Sequence, residues 1–164
     1  MKLIRVGFGL SVLLILLGGG VLTAAGQWRT LKPAYRIGLD AQGQQSGQFN
    51  APDLTVNYTY SRTGGAMQIS GNVQFGTSIQ GNFTVVQTFQ LGLALADAQG
   101  NVLGEQGLTS VFSNNVDDAI NFSATVAVPA QTAAMAFTYS GQAYEAGRDP
   151  NPTNFWFSPF NNRE

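Results

Sequence analysis

The sequence predicts an all-β protein: one β-sandwich of about seven strands, immunoglobulin-like or transthyretin-like, preceded by a single N-terminal transmembrane helix. Three observations carry that expectation. From Leu54 onward, apolar residues recur at every second position in run after run, the period of a strand with one covered face. Stretches rich in Gly, Asn and Asp separate the runs and read as turns. No helical period of useful length follows Gly26, whereas a long uncharged stretch precedes it.

The first element is that uncharged stretch. Residues 1–5 carry Lys2 and Arg5, and no charge returns until Arg29. Residues 6–27 exceed the roughly 18 apolar positions that mark a membrane-span candidate, and about 20 cross some 30 Å of hydrocarbon. A helix buried in a soluble core would keep a polar stripe; here only Ser11 is available. The rival is a cleavable signal peptide, with an apolar region over 6–17 and the small residues Thr23, Ala24, Ala25 and Gly26 as a cleavage site. The expectation is a retained anchor in the inner (plasma) membrane, with residues 1–5 cytoplasmic and the β domain periplasmic or extracellular. Basic residues fall on both sides of the span, so the positive-inside count does not set this orientation. A Thr- and Asn-rich domain without cysteine does. Gly7, Gly18, Gly19 and Gly20 would let a second membrane helix approach closely. Trp28 would stand at the outer interface, where tryptophan is favoured.

The start Gly7-Phe8-Gly9-Leu10, followed by an apolar helix and a β domain, resembles a type IV pilin-class subunit. It departs where that family is most specific. No glutamate follows at the fifth position past the glycine, and Gly18, Gly19 and Gly20 interrupt the helix.

Residues 28–53 read as a linker and first strand, and 54–143 as the sandwich. Leu54, Val56, Tyr58 and Tyr60 alternate with Thr55, Asn57, Thr59 and Ser61. Thr63, Gly64 and Gly65 supply a turn, and Met67, Ile69, Val73 and Phe75 return as the second arm of a hairpin. Phe89, Leu91, Leu93 and Leu95 continue the pattern up to a turn at 97–101, and 102–112 reads as a returning strand with a glycine-rich kink. Ile120, Phe122, Val126 and Val128, then Met135, Phe137 and Tyr139, complete it. The tail, 144–164, combines Pro150, Pro152 and Pro159 with Phe155, Trp156, Phe157 and Phe160. In an extended segment Phe155 and Phe157 point one way and Trp156 the other. Both faces are therefore expected to be covered, by the sandwich's own core, by a partner or by lipid headgroups.

Composition narrows the function. Charged residues make up 10% of the chain, against about 25% in ordinary soluble domains. The outward strand positions are consequently Gln, Asn, Ser and Thr, where exposed sheets usually carry Lys or Glu; this fits a surface covered by a neighbour, and equally an envelope β protein that uses these residues on a free face. After Gly26 there are six basic and nine acidic residues, unclustered, so nothing marks a nucleic-acid partner. With no cysteine and no histidine, Ser-His-Asp and Cys-His catalysis, thiol chemistry and disulfides are all ruled out. The lack of a disulfide in an exported domain also leans towards a bacterial envelope. Asn114, Asn115, Asp117 and Asp118 hold enough oxygens for calcium but miss the loop pattern, and are expected to be a solvated loop. No catalytic, cofactor-binding or metal-binding residue is assigned.

The expected function is a non-enzymatic, single-pass accessory or structural subunit of a larger membrane assembly. It would bind the membrane and other membrane-protein subunits through Gly7, Gly18, Gly19, Gly20, Trp28, Phe155, Trp156, Phe157 and Phe160. The alternative is an envelope module for glycans or other small ligands. There Trp156, Tyr144 and Phe157 would stack on sugar rings, and Asn or Gln would bond the hydroxyls.

Overall fold

Alternation in the sequence becomes two packed antiparallel sheets in the computed structural model, which describes residues 29–39, 43–147 and 151–162. In chain order the strands are β1 (Arg29–Leu31), β2 (Ile37–Gly38), β3 (Gln44–Asn50), β4 (Leu54–Thr63), β5 (Ala66–Phe75), β6 (Val85–Ala96), β7 (Val102–Asn115), β8 (Ile120–Ala127), β9 (Ala134–Tyr144), β10 (Thr153–Phe157) and β11 (Phe160–Asn162). The first sheet runs β3-β4-β5-β8 and the second β10-β9-β6-β7, with β2 also paired to β9. β1 and β11 form a separate two-stranded ribbon.

About seven strands are expected and eleven are described. The additional ones come from the segments before Leu54 and after Tyr144, where strands are too short or too polar to establish a period of two. The expected membrane span, 6–27, lies outside the described residues. Among the described residues the helical pieces are a 3-10 turn at Pro33–Tyr35 and one α-turn at Thr77–Gln80, and no helix is long and apolar enough to cross a membrane.

The apolar set of each alternating run faces the other sheet. Val56, Met67, Val73 and Val126 from the first meet Val86, Phe89, Leu93 and Phe137 from the second in one buried core. Aromatic rings bridge the sheets: Phe137 lies 5.5 Å from Phe49 and 5.2 Å from Tyr58, and Phe75 meets Phe89 edge-on at 5.4 Å. The tilted and edge-on arrangements suit the quadrupoles of the rings. Phe155 enters this core from β10, stacked beside Phe89. It fits only because Gly141 opposite it lacks a Cβ, which would collide with the Phe155 ring.

A second, smaller core lies on the outer side of the second sheet. There Leu31 and Phe160 of the ribbon cover Ala94, Ala96, Val102 and Ala136. Alanine at these outward positions lets the ribbon lie close to the sheet. The Arg29 guanidinium sits 3.6 Å above the Phe160 ring and bonds Glu105 at 2.6 Å. Arg36 donates from Nε and Nη2 to the Leu31 carbonyl, at 3.1 and 2.8 Å. Its guanidinium packs against Gly100, whose φ of +91° suits glycine. The Leu31 N–H in turn donates to the Gly100 carbonyl at 2.8 Å. The ribbon is thereby fastened to the β6–β7 turn.

Asp97 organises that turn. Its carboxylate accepts from the N–H groups of Gln99 and Asn101, at 3.0 and 2.8 Å, and from Asn101 Nδ2 at 2.8 Å. Desolvation pushes its pKa up, but the hydrogen bonds from Asn101, Gln99 and Gly100 outweigh this and hold it below the usual carboxylate value. A depressed folded-state pKa contributes stability above the unfolded pKa of about 3.9, and that contribution is lost as pH falls through the folded value. Asp97→Ala should therefore cost about 1 kcal/mol at neutral pH. In denaturant titrations the gap between variant and parent should close as pH falls below about 4.

Candidate functional site

The ribbon covers only part of the second sheet's outer face. Beyond its edge, Gly92 lies opposite both Gly107 of β7 and Thr138 of β9. One row further, Gln90 lies opposite Ser110 and Ser140, and Ser140 opposite Trp156 of β10. Glycines and short hydroxyl side chains keep the floor low, so a trough of about 710 Å³ opens across the four strands. That volume falls within the range usual for small-molecule sites, about 300–1,000 Å³. The register shift between Leu91 and Gly92 marks a bulge in the pairing of β6 with β7 at the same level, a common device for bending a sheet locally.

Trp156 forms one wall and is 68% exposed. It projects because Phe155 and Phe157 on either side turn inward, as alternation along β10 requires. Phe160, Ser158 and Arg29 bound the trough along the ribbon. A smaller depression continues over Thr88, Gln142 and Asn154, sharing Gln90 and Ser140 with the trough. There Gln142 Nε2 donates to Asn154 Oδ1 at 3.0 Å.

Electrostatically the trough is close to neutral. Arg29 and Glu105 are the charged residues that line it, and they are paired with each other. Tyr139 contributes to the lining from β9, but its hydroxyl donates to Asp53 Oδ2 at 2.9 Å on the core side. Burial, and next the bond to Asp53, push the Tyr139 pKa well up. It therefore stays protonated and serves as a structural tie. The arrangement can stack a ring on the indole and exchange hydrogen bonds with hydroxyls and amides.

Among the described residues expected to contact partners, Trp156 alone offers a largely free aromatic face. Phe155 is buried in the main core and Phe160 between the ribbon and the second sheet, at 7% and 6% exposure, so the domain itself covers both. Phe157 is half-buried, its ring against Tyr35, Phe49 and Tyr139, and it borders the trough. Tyr144, at the far end of β9 opposite Val85, does not line it. Gly7, Gly18, Gly19, Gly20 and Trp28 lie outside the described residues.

Phe112, at 74% exposure, is a surface aromatic that sequence reasoning missed. The signal for it was its neighbour Val111: adjacent residues of one strand face opposite ways, so one of the pair had to point out. In the calcium-like loop the amides are committed to the turn itself. Asn115 Oδ1 accepts the Asp117 N–H at 2.9 Å, and Asn114 Nδ2 donates to the carbonyls of Asn115 and Asp118. Among the described residues no group of three or more acidic side chains is placed to hold a metal ion.

Comparison with family models, with curated proteins and with solved structures finds no match to this chain.

Proposed function

We propose that this protein is a membrane-tethered, extracytoplasmic module that binds uncharged carbohydrate in the trough beside Trp156. The observation that carries the reading is an exposed indole beside a floor of hydroxyl and amide groups with no unpaired charge. A pyranose ring presents the matching chemistry, with apolar C–H faces for the indole and hydroxyls at its rim for Gln90, Ser140 and their neighbours. The tether is the 6–27 segment, with the N-terminus in the cytoplasm.

The test is a glycan array probed with the full-length chain in a detergent that carries no sugar headgroup. Trp156→Ala should weaken any signal at least about tenfold, ~1.4 kcal/mol or more, as removal of a central aromatic anchor does. Because the side chain is exposed, stability should change by less than about 0.5 kcal/mol. Absence of binding to any neutral glycan, or binding that ignores the substitution, would sink the proposal.

Of the two sandwich types expected, we infer the immunoglobulin-like one. The strand order supports it. With β4, β5 and β8 taken as A, B and E, and β6, β7, β9 and β10 as C, C′, F and G, the sheets read A-B-E and C′-C-F-G. β3 is then an extra strand beyond A. The fold assigns no function by itself.

A second observation favours the accessory-subunit reading. The outer face of the first sheet carries uncharged polar rows across all four strands. Ser46, Thr59, Ser70 and Ser123 form one row, and Gln48, Asn57, Asn72 and Asn121 another. The amides bond laterally, Gln48 to Asn57 at 2.9 Å and Asn57 to Asn72 at 3.1 Å. A neighbouring subunit could cover such a face without burying a charge. Purification from native membranes in mild detergent tests this, since a lone chain with no co-purifying subunit counts against it.

A further inference from the structure

We infer that the trough takes an extended, flat, uncharged sugar chain laid across the strands, and that Phe112 is a second stacking platform for it. This deepens, and rests on, the carbohydrate reading above. Among the described residues Phe112 and Trp156 are the large hydrophobic side chains left mostly exposed. Isolated exposed apolar residues need no explanation, but these two are not independently placed.

They share a face. Phe112 is paired with Thr88, and Trp156 with Ser140. Directly opposed residues of antiparallel strands project from the same side. Thr88 and Ser140 line one continuous depression together with Gln90, Gln142 and Asn154. Phe112 and Trp156 also stand on opposite edges of the sheet, since the order is β10-β9-β6-β7. Three inter-strand steps of about 4.8 Å separate them by roughly 14 Å across the sheet. Everything between them is short or polar and uncharged: Ser140, Gln142, Thr88, Gln90 and Ser110.

That spacing selects the ligand. A single pyranose can stack on one aromatic ring only. A chain of rings joined through equatorial bonds, such as a β-1,4-linked glucan or chitin fragment, is a flat ribbon. It presents a C–H face at each ring and hydroxyls or amides at its margins. About three such rings fill the distance between the platforms. A helical, axially linked chain would leave the sheet before reaching the second ring. A polyuronate would bring charges that find no free counter-charge, because Arg29 and Glu105 neutralise each other.

The test is calorimetry with the full-length chain in a detergent without a sugar headgroup, using cello- and chito-oligosaccharides from a single ring to about six rings. Affinity should climb until the oligosaccharide bridges both platforms and then level off. Phe112→Ala should lower affinity for the longest members about fivefold to tenfold and leave one- and two-ring ligands unchanged, whereas Trp156→Ala should lower all of them. Both variants should melt with the parent, because both side chains are exposed. If Phe112→Ala has no effect at any length, or the same effect at every length, the second platform is overturned while the carbohydrate reading survives. Equal affinity for a polyuronate of the same length overturns the neutral-chain assignment. No binding of any member by the parent protein removes both proposals together.

Discussion

Phe137→Ala should destabilise the domain by about 3–5 kcal/mol, the range for deleting a fully buried phenylalanine. The ring has no solvent exposure. It sits on β9 of the second sheet and touches Phe49 of β3 and Tyr58 of β4, both in the first. Truncation would remove the ring's own transfer free energy and leave a cavity between two sheets held apart by their remaining side chains. A domain of ordinary stability, about 5–15 kcal/mol, would lose a large part of its margin. Urea unfolding followed by circular dichroism measures this directly, and Phe137→Leu should recover most of the loss by refilling the space. A cost below about 1 kcal/mol would show that the two sheets are not pinned together at this ring.

Gly71→Ala is expected to be nearly as damaging, for the opposite reason. Gly71 lies on β5 at an inward position, opposite Tyr58 of β4 and Phe122 of β8. Both neighbours are large and buried. A Cβ at Gly71 would run into the Asn57 carbonyl and press on the tip of the Phe122 ring. A flexible side chain could move aside, but a carbonyl oxygen in the middle of a paired strand cannot do so without breaking the ladder. The expected cost is about 3 kcal/mol, the upper part of the range for overpacking a core. Thermal melting of Gly71→Ala beside Gly104→Ala provides the comparison, because a Cβ at Gly104 meets nothing. Similar melting temperatures for the two would contradict the packing described.

Much of the sandwich core is legible in the amino-acid sequence. Leu54, Val56, Tyr58 and Tyr60, the hairpin partners from Met67 to Phe75, and the later sets ending at Tyr139 are all buried. The reason is local. In a strand with one covered face the side-chain period is two, and the residue types repeat that period whatever the strand pairs with. Trp156 is legible in the same way, as the odd member between Phe155 and Phe157. The ribbon is not. β1 and β11 are three residues each, too short for any period to show. Their apolar residues are covered by alanines that alternation alone would leave facing solvent. Phe112 escapes for a related cause, since a kinked run of glycines blurs which side of a strand each residue takes.

The sequence alone determined the class of the fold, the inward set of most long strands and the absence of histidine and cysteine chemistry, because each follows from residue type and nearest-neighbour geometry. Tertiary structure alone decided what Trp156 faces. The trough exists because β10 pairs with β9 in a register that sets Trp156 beside Ser140, and because a ribbon built from opposite ends of the described chain bounds its other side. β7 carries Phe112 at the far edge of the same face, paired with Thr88. Those pairings join residues distant along the chain, and they are selected by packing and backbone hydrogen bonding in the assembled sheets. No local pattern encodes them.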